Sequence, residues 1–286
     1  MPELPEVETV VRGLRTVLPG RRILNVRLGK TDFIEDPAAL ESQLPGGRIV
    51  AVRRHGKFIV VELDSENGRR QATSLLIHLG MTGQLVTCPT ETRILPHTHV
   101  FFGLDDGREL RYTDIRRFGQ MRILANGAHE SVLGGLGLDP LEASEQEFSA
   151  RIRARSAHIK ALLLDQHVLR GMGNIYTDES LWRARIHPRR LGAKLSDAEV
   201  HKLYRVMRQV LNEAIRLGGS SISDYVDADG QPGEFQIWHR AYGREGKKCS
   251  RCGKTIQRII VAGRSSYFCP GCQRASRKIR RKRTPR

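Results

Sequence analysis

The 286-residue sequence contains no long hydrophobic run and no recognisable export signal. No stretch approaches the roughly 18 consecutive apolar residues that a membrane-spanning helix requires. The opening residues, MPELPEVETVVRG, lack the basic and apolar segments of a secretory signal peptide. Membrane proteins and secreted proteins are therefore not expected, and the sequence predicts a cytoplasmic protein without membrane contact.

Acidic residues are also scarce. The chain has 31 Asp and Glu against 48 Lys and Arg, which gives a formal net charge of +17. Such a surplus indicates a polyanionic partner: nucleic acid is favoured, with a membrane surface or an acidic protein as alternatives. Hydrophobic residues make up 39% of the chain, which predicts a folded protein, and the length predicts two domains or two domains with a small appendage.

The chain has only five cysteines, and four of them form two close pairs. Cys249 and Cys252 make the first pair, Cys269 and Cys272 make the second, and Cys88 stands alone far upstream. This spacing is typical of a tetrahedral zinc site rather than of a disulfide framework. Between the pairs, residues 256–261 and 265–268 have the pattern of two strands. The metal would therefore stabilise a β-hairpin with Arg264 at its tip.

The first 130 residues predict one helix followed mainly by strands. Residues 4–18 have apolar side chains at helical spacing before Pro19-Gly20, and a short helix follows the cap Asp36-Pro37. Seven short strands are predicted from β-branched or alternating runs, and they indicate a β-sandwich or barrel. These strands cover residues 21–28, 48–54, 58–63, 74–79, 98–104, 109–113 and 118–124.

Helical periodicity dominates from about residue 130. Ser144 with Glu147, and Ser196 with Glu199, are capping boxes that begin helices. A further helix is predicted from Asn174 to Ile186, before Pro188. The glycine-rich segment 218–234 predicts a mobile loop, and the basic residues after Cys272 predict either a disordered tail or an added source of affinity for phosphates.

The N-terminus has the residues for nucleophilic chemistry. An initiator methionine before a proline is normally removed, which would leave Pro2 as a free secondary amine. An α-amino group has a pKa of about 7.7–8.0, so a useful fraction is unprotonated at neutral pH and can attack an aldehyde-level sugar carbon. Glu3 could then transfer protons. The alternative is that Pro2, Glu3 and the residues after them only begin the helix.

Five separated motifs carry a family resemblance that runs from Pro2 to Cys272. They are Pro2-Glu3-Leu4-Pro5-Glu6-Val7-Glu8, His78-Leu79-Gly80-Met81-Thr82-Gly83, Asp114-Ile115-Arg116-Arg117-Phe118-Gly119, Gly173-Asn174-Ile175-Tyr176 and the four-cysteine finger. Together they resemble the formamidopyrimidine-DNA glycosylase family. The resemblance implies a bifunctional base-excision-repair enzyme that removes 8-oxoguanine and formamidopyrimidines from duplex DNA through a Schiff base on the N-terminal proline. It then cleaves the strand by β,δ-elimination.

The resemblance also implies an α+β multidomain fold. The expected parts are an N-terminal catalytic β-sandwich over residues 1–130, a helix-two-turn-helix domain over 131–235, and a four-cysteine zinc finger with a basic tail over 236–286. Segment 218–234 would be the loop that closes over the extruded base. One structural Zn²⁺, a duplex DNA partner containing an oxidised base, and a monomeric bacterial protein associated with the nucleoid complete this expectation.

Individual roles follow from the matched positions. Pro2 is implied to be the nucleophile, Glu3 the proton-transferring acid, and Glu6 a second acidic position with a mainly structural role. Lys57 and Arg264 are implied to be further catalytic residues, with Lys57 close to the lesion and its phosphates. The remaining implied DNA contacts are the void-filling residues Met81, Arg116 and Phe118, the phosphate-binding residues Lys160, Asn174 and Arg264, and the further positions His78, His97, Arg117 and Tyr176.

Two other functions remain open at this point. An endonuclease VIII-like enzyme for oxidised pyrimidines would share most of these motifs, although Leu4 and the long segment 218–234 favour the purine enzyme. A non-catalytic zinc-finger protein that binds bent or damaged DNA would need the basic surface and the finger, but neither Pro2 nor Glu3.

Overall fold

A computed structural model describes residues 1–64, 73–125 and 128–275 of the chain. These residues fold as two compact units. The first comprises Met1–Ala143, Asp165–Gly173 and Arg208–Trp238, and the second comprises Ser144–Leu164, Asn174–Met207 and the residues from His239 onward. None of the helices in the described ranges has the length and apolar content needed to cross a membrane. Most of the predicted basic tail lies outside the described residues.

The first unit begins with the predicted helix. Helix α1 spans Leu4–Val17, and Pro5 and Glu6 lie in its first turn. Val7, Val10, Val11 and Leu14 are fully buried because they recur on one face of the helix. This face packs into the main hydrophobic core of the unit.

Two four-stranded antiparallel sheets enclose that core and confirm the predicted β-sandwich. One sheet has the strand order β1-β6-β7-β5 and the other has the order β2-β3-β4-β8. The strands are β1 (Ile23–Leu28), β2 (Arg48–His55), β3 (Phe58–Asp64), β4 (Thr73–His78), β5 (Gly83–Pro89), β6 (Thr98–Leu104), β7 (Arg108–Asp114) and β8 (Gln120–Ala125). Helices α2 (Pro37–Gln43) and α3 (Ala128–Leu133) also belong to this unit.

Strand β5 is an addition to the seven predicted strands. It begins at Gly83 and ends at Pro89, and residues of these two types are depleted in strands, so the local sequence hides it. Pairing with β7 places Leu85 opposite Tyr112, and both side chains are fully buried. Strand β8 also starts two residues later than predicted, because Phe118 and Gly119 belong to the loop that precedes it.

The second unit contains helices and the cysteine module. Its helices are α4 (Glu145–Arg153), α5 (Ile159–Leu164), α6 (Asn174–Ala184) and the first part of α7 (Asp197–Arg216). Both predicted capping boxes are confirmed by reciprocal hydrogen bonds, as in the pair Ser196 and Glu199. Helix α5 was not predicted, since six residues are too few to show a helical period.

The cysteine module contains a two-stranded hairpin of β9 (Gln257–Val261) and β10 (Arg264–Phe268). Its turn residues Ala262 and Gly263 both have positive φ, as a tight two-residue hairpin requires. Behind it lies a small core in which Trp182 packs with Ala241, Ile256 and the cysteines. The Arg251 guanidinium stacks 3.9 Å from the centre of the Trp182 ring.

Candidate functional site

The N-terminal residues are buried at the start of α1. Pro2 is buried, and Glu3 is 3% exposed. The Glu3 backbone N–H donates to Glu6 Oε2 at 2.8 Å, and the Leu4 N–H donates to the Gly171 carbonyl at 2.9 Å. A Cβ atom on Gly173 would lie 2.1 Å from Glu3 Cδ, so only glycine permits this approach. Pro2 and Glu3 therefore begin the helix and also occupy an enclosed position where a carboxyl group is held in place.

Glu6 connects the start of α1 to segment 218–234. Its Oε1 accepts from the Ser220 N–H at 2.7 Å, next to Gly219, whose φ is +80°. The Tyr225 hydroxyl donates to the Glu6 carbonyl at 3.2 Å, and burial together with the Glu6 charge raises the pKa of Tyr225. The predicted loop is therefore attached at two points to the helix that carries Pro2 and Glu3.

Lys57 lies in the tight turn between β2 and β3 and is 9% exposed, so it is not an ordinary surface lysine. The turn packs closely on Arg170 and Gly171 through Gly56, whose φ is +62° and where an added Cβ would lie 3.1 Å from Arg170 Cβ and 3.4 Å from the Gly171 nitrogen. His78, at the end of β4, accepts the Gly80 N–H on Nδ1 at 3.1 Å. Burial, and to a lesser degree Lys57, lowers the pKa of His78 to about 4, so the ring is neutral at physiological pH.

A buried charge network supports this region. Arg54 donates to Glu8 Oε2 at 2.8 Å and to Asp139 Oδ2 at 2.7 Å, and the Arg170 guanidinium lies 3.6 Å from Asp139. Burial opposes the charge of Glu8, but hydrogen bonds from Arg12 and Arg54 outweigh it and lower the pKa of Glu8. The partners are distant in sequence, and for that reason the sequence did not reveal this network.

The predicted void-filling residues Met81, Arg116 and Phe118 lie on two loops of the first unit, and all three are exposed. Phe118 is 55% exposed, an unusual exposure for phenylalanine, and the Arg116 guanidinium lies 4.5 Å from the centre of its ring. Arg117 adopts a positive φ of 53° and pairs with Asp32 at 3.4 Å. The exposed face of the loops thus combines apolar and cationic side chains.

His97 also lies at the surface of the first unit and has a positive φ of 66°. Its ring centre lies 6.3 Å from that of His99, and its carbonyl accepts the Asp114 N–H at 3.0 Å. His97 is therefore attached through its backbone to the end of β7, while its side chain remains accessible.

In the second unit, the predicted phosphate-binding residues differ in exposure. Arg264 is exposed at the start of β10, as predicted for a residue at the hairpin tip. Asn174 is the first residue of α6, and its Oδ1 is buried without a hydrogen-bond partner in the described part of the chain. Lys160 and Tyr176 are fully buried. Their predicted DNA contacts remain predictions.

Lys160 makes two contacts that tie it to the hairpin. Its Nζ donates to Asp178 Oδ1 and to the Ser265 carbonyl, both at 2.7 Å. Asp178 in turn accepts the Tyr267 N–H at 3.0 Å. A buried ion pair therefore fixes strand β10 against helices α5 and α6.

The four paired cysteines form a metal site. Their Sγ atoms all lie within 4.8 Å of one another, a cluster of the size that a tetrahedral thiolate site requires. Glu179 supports the entry to this module by accepting the backbone N–H groups of Arg240, Ala241 and Tyr242 at 2.8–3.0 Å. The sequence predicted the cysteines but not Glu179, because a buried carboxylate that holds a loop has no local signature.

The structure thus brings together two sets of the predicted residues. The first unit collects Pro2, Glu3, Lys57, His78, Met81, His97, Arg116, Arg117 and Phe118, and the second collects Lys160, Asn174, Tyr176, Arg264 and the cysteines. Sequence reasoning assigned no role to Asp114, a buried carboxylate whose hydrogen bonds reach both loops that carry the predicted void-filling residues. Its position in the same motif, two residues before Arg116 and four before Phe118, was the available signal.

Comparisons with known proteins cover nearly the whole chain. Residues 1–121 match the formamidopyrimidine-DNA glycosylase N-terminal domain, residues 136–226 match the H2TH domain of the same enzyme, and residues 246–275 match a zinc finger found in FPG and IleRS. A formamidopyrimidine-DNA glycosylase from Pelotomaculum thermopropionicum is 41% identical over 280 residues, covering 96% of this chain and 99% of that protein.

Solved structures give the same result. A Lactococcus lactis FPG variant in complex with a Fapy-dG containing DNA has a TM-score of 0.86 and 34% identity, and the match covers 96% of this chain and 100% of that one. A complex between the Lactococcus lactis Fpg and an abasic site containing DNA has a TM-score of 0.86 and 33% identity with the same coverage.

Proposed function

The chain belongs to the formamidopyrimidine-DNA glycosylase family and is a DNA glycosylase of DNA repair, and we propose that it excises 8-oxoguanine and formamidopyrimidines and then cleaves the abasic strand. The observation that carries the proposal is the enclosed position of Pro2 and Glu3 against Gly173. A protein that only binds damaged DNA would not require a buried carboxylate beside an N-terminal proline.

The Pro2 amine, freed by removal of Met1, attacks C1′ of the damaged nucleoside. The C1′–N bond to the base breaks, and the base leaves with a proton. The proline nitrogen then loses its own proton, its lone pair breaks the C1′–O4′ bond to form an iminium, and O4′ takes up a proton as the sugar ring opens. Glu3 transfers protons between the base, the sugar oxygen and solvent. Abstraction of the C2′ proton then expels the 3′ phosphate by β-elimination, and δ-elimination expels the 5′ phosphate.

The exposed residues of the first unit act on the duplex. An enzyme of this kind must extrude its base, so Met81, Arg116 and Phe118 fill the vacated space, and Arg116 binds the orphaned opposite base. Segment 218–234 covers the extruded base, and Lys57 binds the adjacent phosphates. Asn174 and Arg264 bind further phosphates, and His78, His97, Arg117, Tyr176 and Lys160 complete the proposed contacts.

The metal held by the cysteines is proposed to be Zn²⁺. Four thiolates in a closed cluster favour Zn²⁺ at a structural site and leave no open position for a substrate. The ion stabilises a hairpin that is too small for a core of its own, and that hairpin carries Arg264. We further propose that the protein acts as a cytoplasmic monomer and that the three domains predicted above are its functional divisions.

Borohydride trapping tests the chemistry directly. The purified protein is incubated with a duplex containing one 8-oxoguanine opposite cytosine, and mass spectrometry locates the adduct. A covalent adduct at Pro2 is expected. Parallel duplexes with an oxidised pyrimidine, a bare abasic site or no lesion separate the alternatives. Adducts on the oxidised pyrimidine but not on 8-oxoguanine would assign the endonuclease VIII-like specificity, and binding without an adduct on any duplex would show a non-catalytic protein.

Glu3→Gln is the matching variant, and it should abolish base release while duplex binding survives. Glu41→Gln, on the exposed side of α2, is the control that removes the same charge from a position far from the N-terminus in sequence. Unchanged turnover in Glu3→Gln would remove Glu3 from the mechanism.

A further inference from the structure

The two loops that carry the void-filling residues share one buried carboxylate. Asp114 is fully buried at the end of β7. It accepts the Thr82 hydroxyl hydrogen on Oδ1 and the Tyr112 hydroxyl hydrogen on Oδ2 at 3.1 Å. It also accepts the Arg116 N–H at 3.2 Å and the Gly119 N–H at 2.9 Å. We call Asp114, Thr82 and Tyr112 the Asp114 cluster.

These hydrogen bonds join loop 79–83 to loop 114–119. Thr82 is adjacent to Met81 in the first loop, and the Arg116 N–H also donates to Thr82 Oγ1 at 3.1 Å. Asp114 therefore binds the first loop through one side chain and the second loop through two backbone amides. All four of these donors, two hydroxyls and two backbone amides, are neutral.

Close backbone contact reinforces the connection. Gly80 has a φ of +61°, and a Cβ there would lie 2.4 Å from the Phe118 carbonyl carbon. A Cβ on Gly119 would lie 1.7 Å from the Tyr112 hydroxyl oxygen. Both positions accept only glycine, so the relative position of the two loops is fixed by contacts that cannot shift without breaking the cluster.

We propose that the Asp114 cluster positions Met81, Arg116 and Phe118 as one preformed unit for insertion into the duplex. The inference rests on the proposed function, because it concerns the same void-filling step. Loops ordered in the free protein do not have to be ordered during insertion, and this lowers the free energy cost of binding. Burial and the Asp114 charge raise the pKa of Tyr112, so its hydroxyl remains a donor at physiological pH.

The test uses Thr82→Val, which removes one donor and nearly preserves side-chain shape. Thr98→Val is the control at another threonine of the same unit: Thr98 is a half-buried residue of β6, and its hydroxyl lies 2.9 Å from that of Thr113 in the same sheet. Insertion is followed with a duplex that carries 2-aminopurine next to 8-oxoguanine. The fluorescence of 2-aminopurine rises when this base loses its stacking contacts. Thr82→Val should slow this rise about tenfold, the effect of losing one hydrogen bond to a charged group, and Thr98→Val should not.

A second readout separates positioning from general loss of stability. Borohydride trapping on a preformed abasic site needs no base release. On that duplex, the rate of adduct formation by Thr82→Val should therefore equal that of the parent protein within about twofold. The double variant Thr82→Val/Phe118→Ala should insert faster than the two single effects multiplied together would predict, because part of the effect of Thr82 passes through Phe118. Tyr112→Phe, which keeps the ring, provides an independent loss of one donor if Thr82→Val unfolds.

The outcomes are distinguishable. A parent protein that gives no fluorescence change would overturn the proposed insertion and this inference with it. A parent protein that inserts normally, with Thr82→Val and Tyr112→Phe equally fast, would overturn the positioning role alone. Equal slowing in Thr98→Val, or additive effects in the double variant, would also overturn it.

Discussion

Asp114 in the first unit and Asp178 in the second are both buried carboxylates that hold an exposed segment with a proposed DNA contact. Asp114 is bound by two hydroxyls and two backbone amides, whereas Asp178 is bound by the buried Lys160 and one backbone amide. The first arrangement distributes one charge over several neutral donors. The second depends on a single cation, and the comparison predicts that it is the more fragile of the two.

Loss of the metal should give the largest difference between the units. The small hairpin in the second unit is proposed to depend on the metal, and structural zinc contributes on the order of 10 kcal/mol in isolated finger peptides. Chelation should reduce duplex binding more than a hundredfold and leave the unfolding transition of the first unit in place. Calorimetry and fluorescence anisotropy with labelled duplex measure both effects. Cys88→Ser changes the single cysteine of the first unit and is the control, which should alter neither duplex binding nor the response to chelation. A chelated protein that binds the duplex normally would contradict the role of the hairpin.

Lys160→Met should have the next largest effect. It leaves Asp178 buried without a cation, which should destabilise the protein by about 3–5 kcal/mol in urea or guanidinium unfolding. Lys194→Met, at an exposed position, is the control and should change little. If the free energy of unfolding of Lys160→Met equals that of the parent protein, Lys160 does not stabilise the buried Asp178. A decrease of about 0.9 in the salt dependence of duplex binding would show in addition that Lys160 is the proposed direct phosphate contact.

Acid should affect both units, because each contains a histidine that burial keeps neutral. Burial lowers the pKa of His78 in the first unit and of His239 in the second to about 4 each. Because the unfolded chain protonates near pH 6.5, stability is full above that pH and falls as the pH is lowered from 6.5 towards 4. Each histidine should cost about 2 kcal/mol at pH 5.

His78→Asn and His239→Asn should each flatten part of this pH dependence, as measured by denaturant unfolding at pH 7 and pH 5. Their effects should add if the two sites are independent. A parent protein with the same unfolding free energy at both pH values would show that these rings are not held neutral.

Thr82→Val should give the smallest effect on stability, about 1–2 kcal/mol, because Asp114 retains three of its four donors. Thermal unfolding measures it, with Thr98→Val as the reference. If Thr82→Val lost as much unfolding free energy as Lys160→Met, the two aspartates would not differ in sensitivity to the loss of one partner. Several neutral donors would then protect a buried carboxylate no better than a single cation.

The sequence predicted those features that depend on local patterns. The helix from Leu4, seven strands, the two capping boxes and the hairpin at Ala262-Gly263 all follow from the spacing of neighbouring residues. Strand β5 was missed because its stability comes from pairing with β7, and α5 because six residues show no period.

The same distinction between local patterns and long-range contacts applies to the candidate site. Its exposed and reactive residues lie in contiguous motifs, so they could be predicted. The groups that hold them could not, since Arg54 with Asp139, Glu6 with Ser220 and Lys160 with Ser265 are joined only by the fold. Burial of Lys160 likewise has no sequence signal, because a lysine is normally exposed.

The chain has only two tryptophans, and the fold places one in each unit. Trp182 is 7% exposed in the core behind the cysteines, whereas Trp238 is 49% exposed in the first unit. The protein therefore carries two intrinsic optical reporters in different surroundings. Emission from the buried indole should respond to metal occupancy and that from the exposed indole to aqueous quenchers. The folding of each unit can thus be followed separately without any added label.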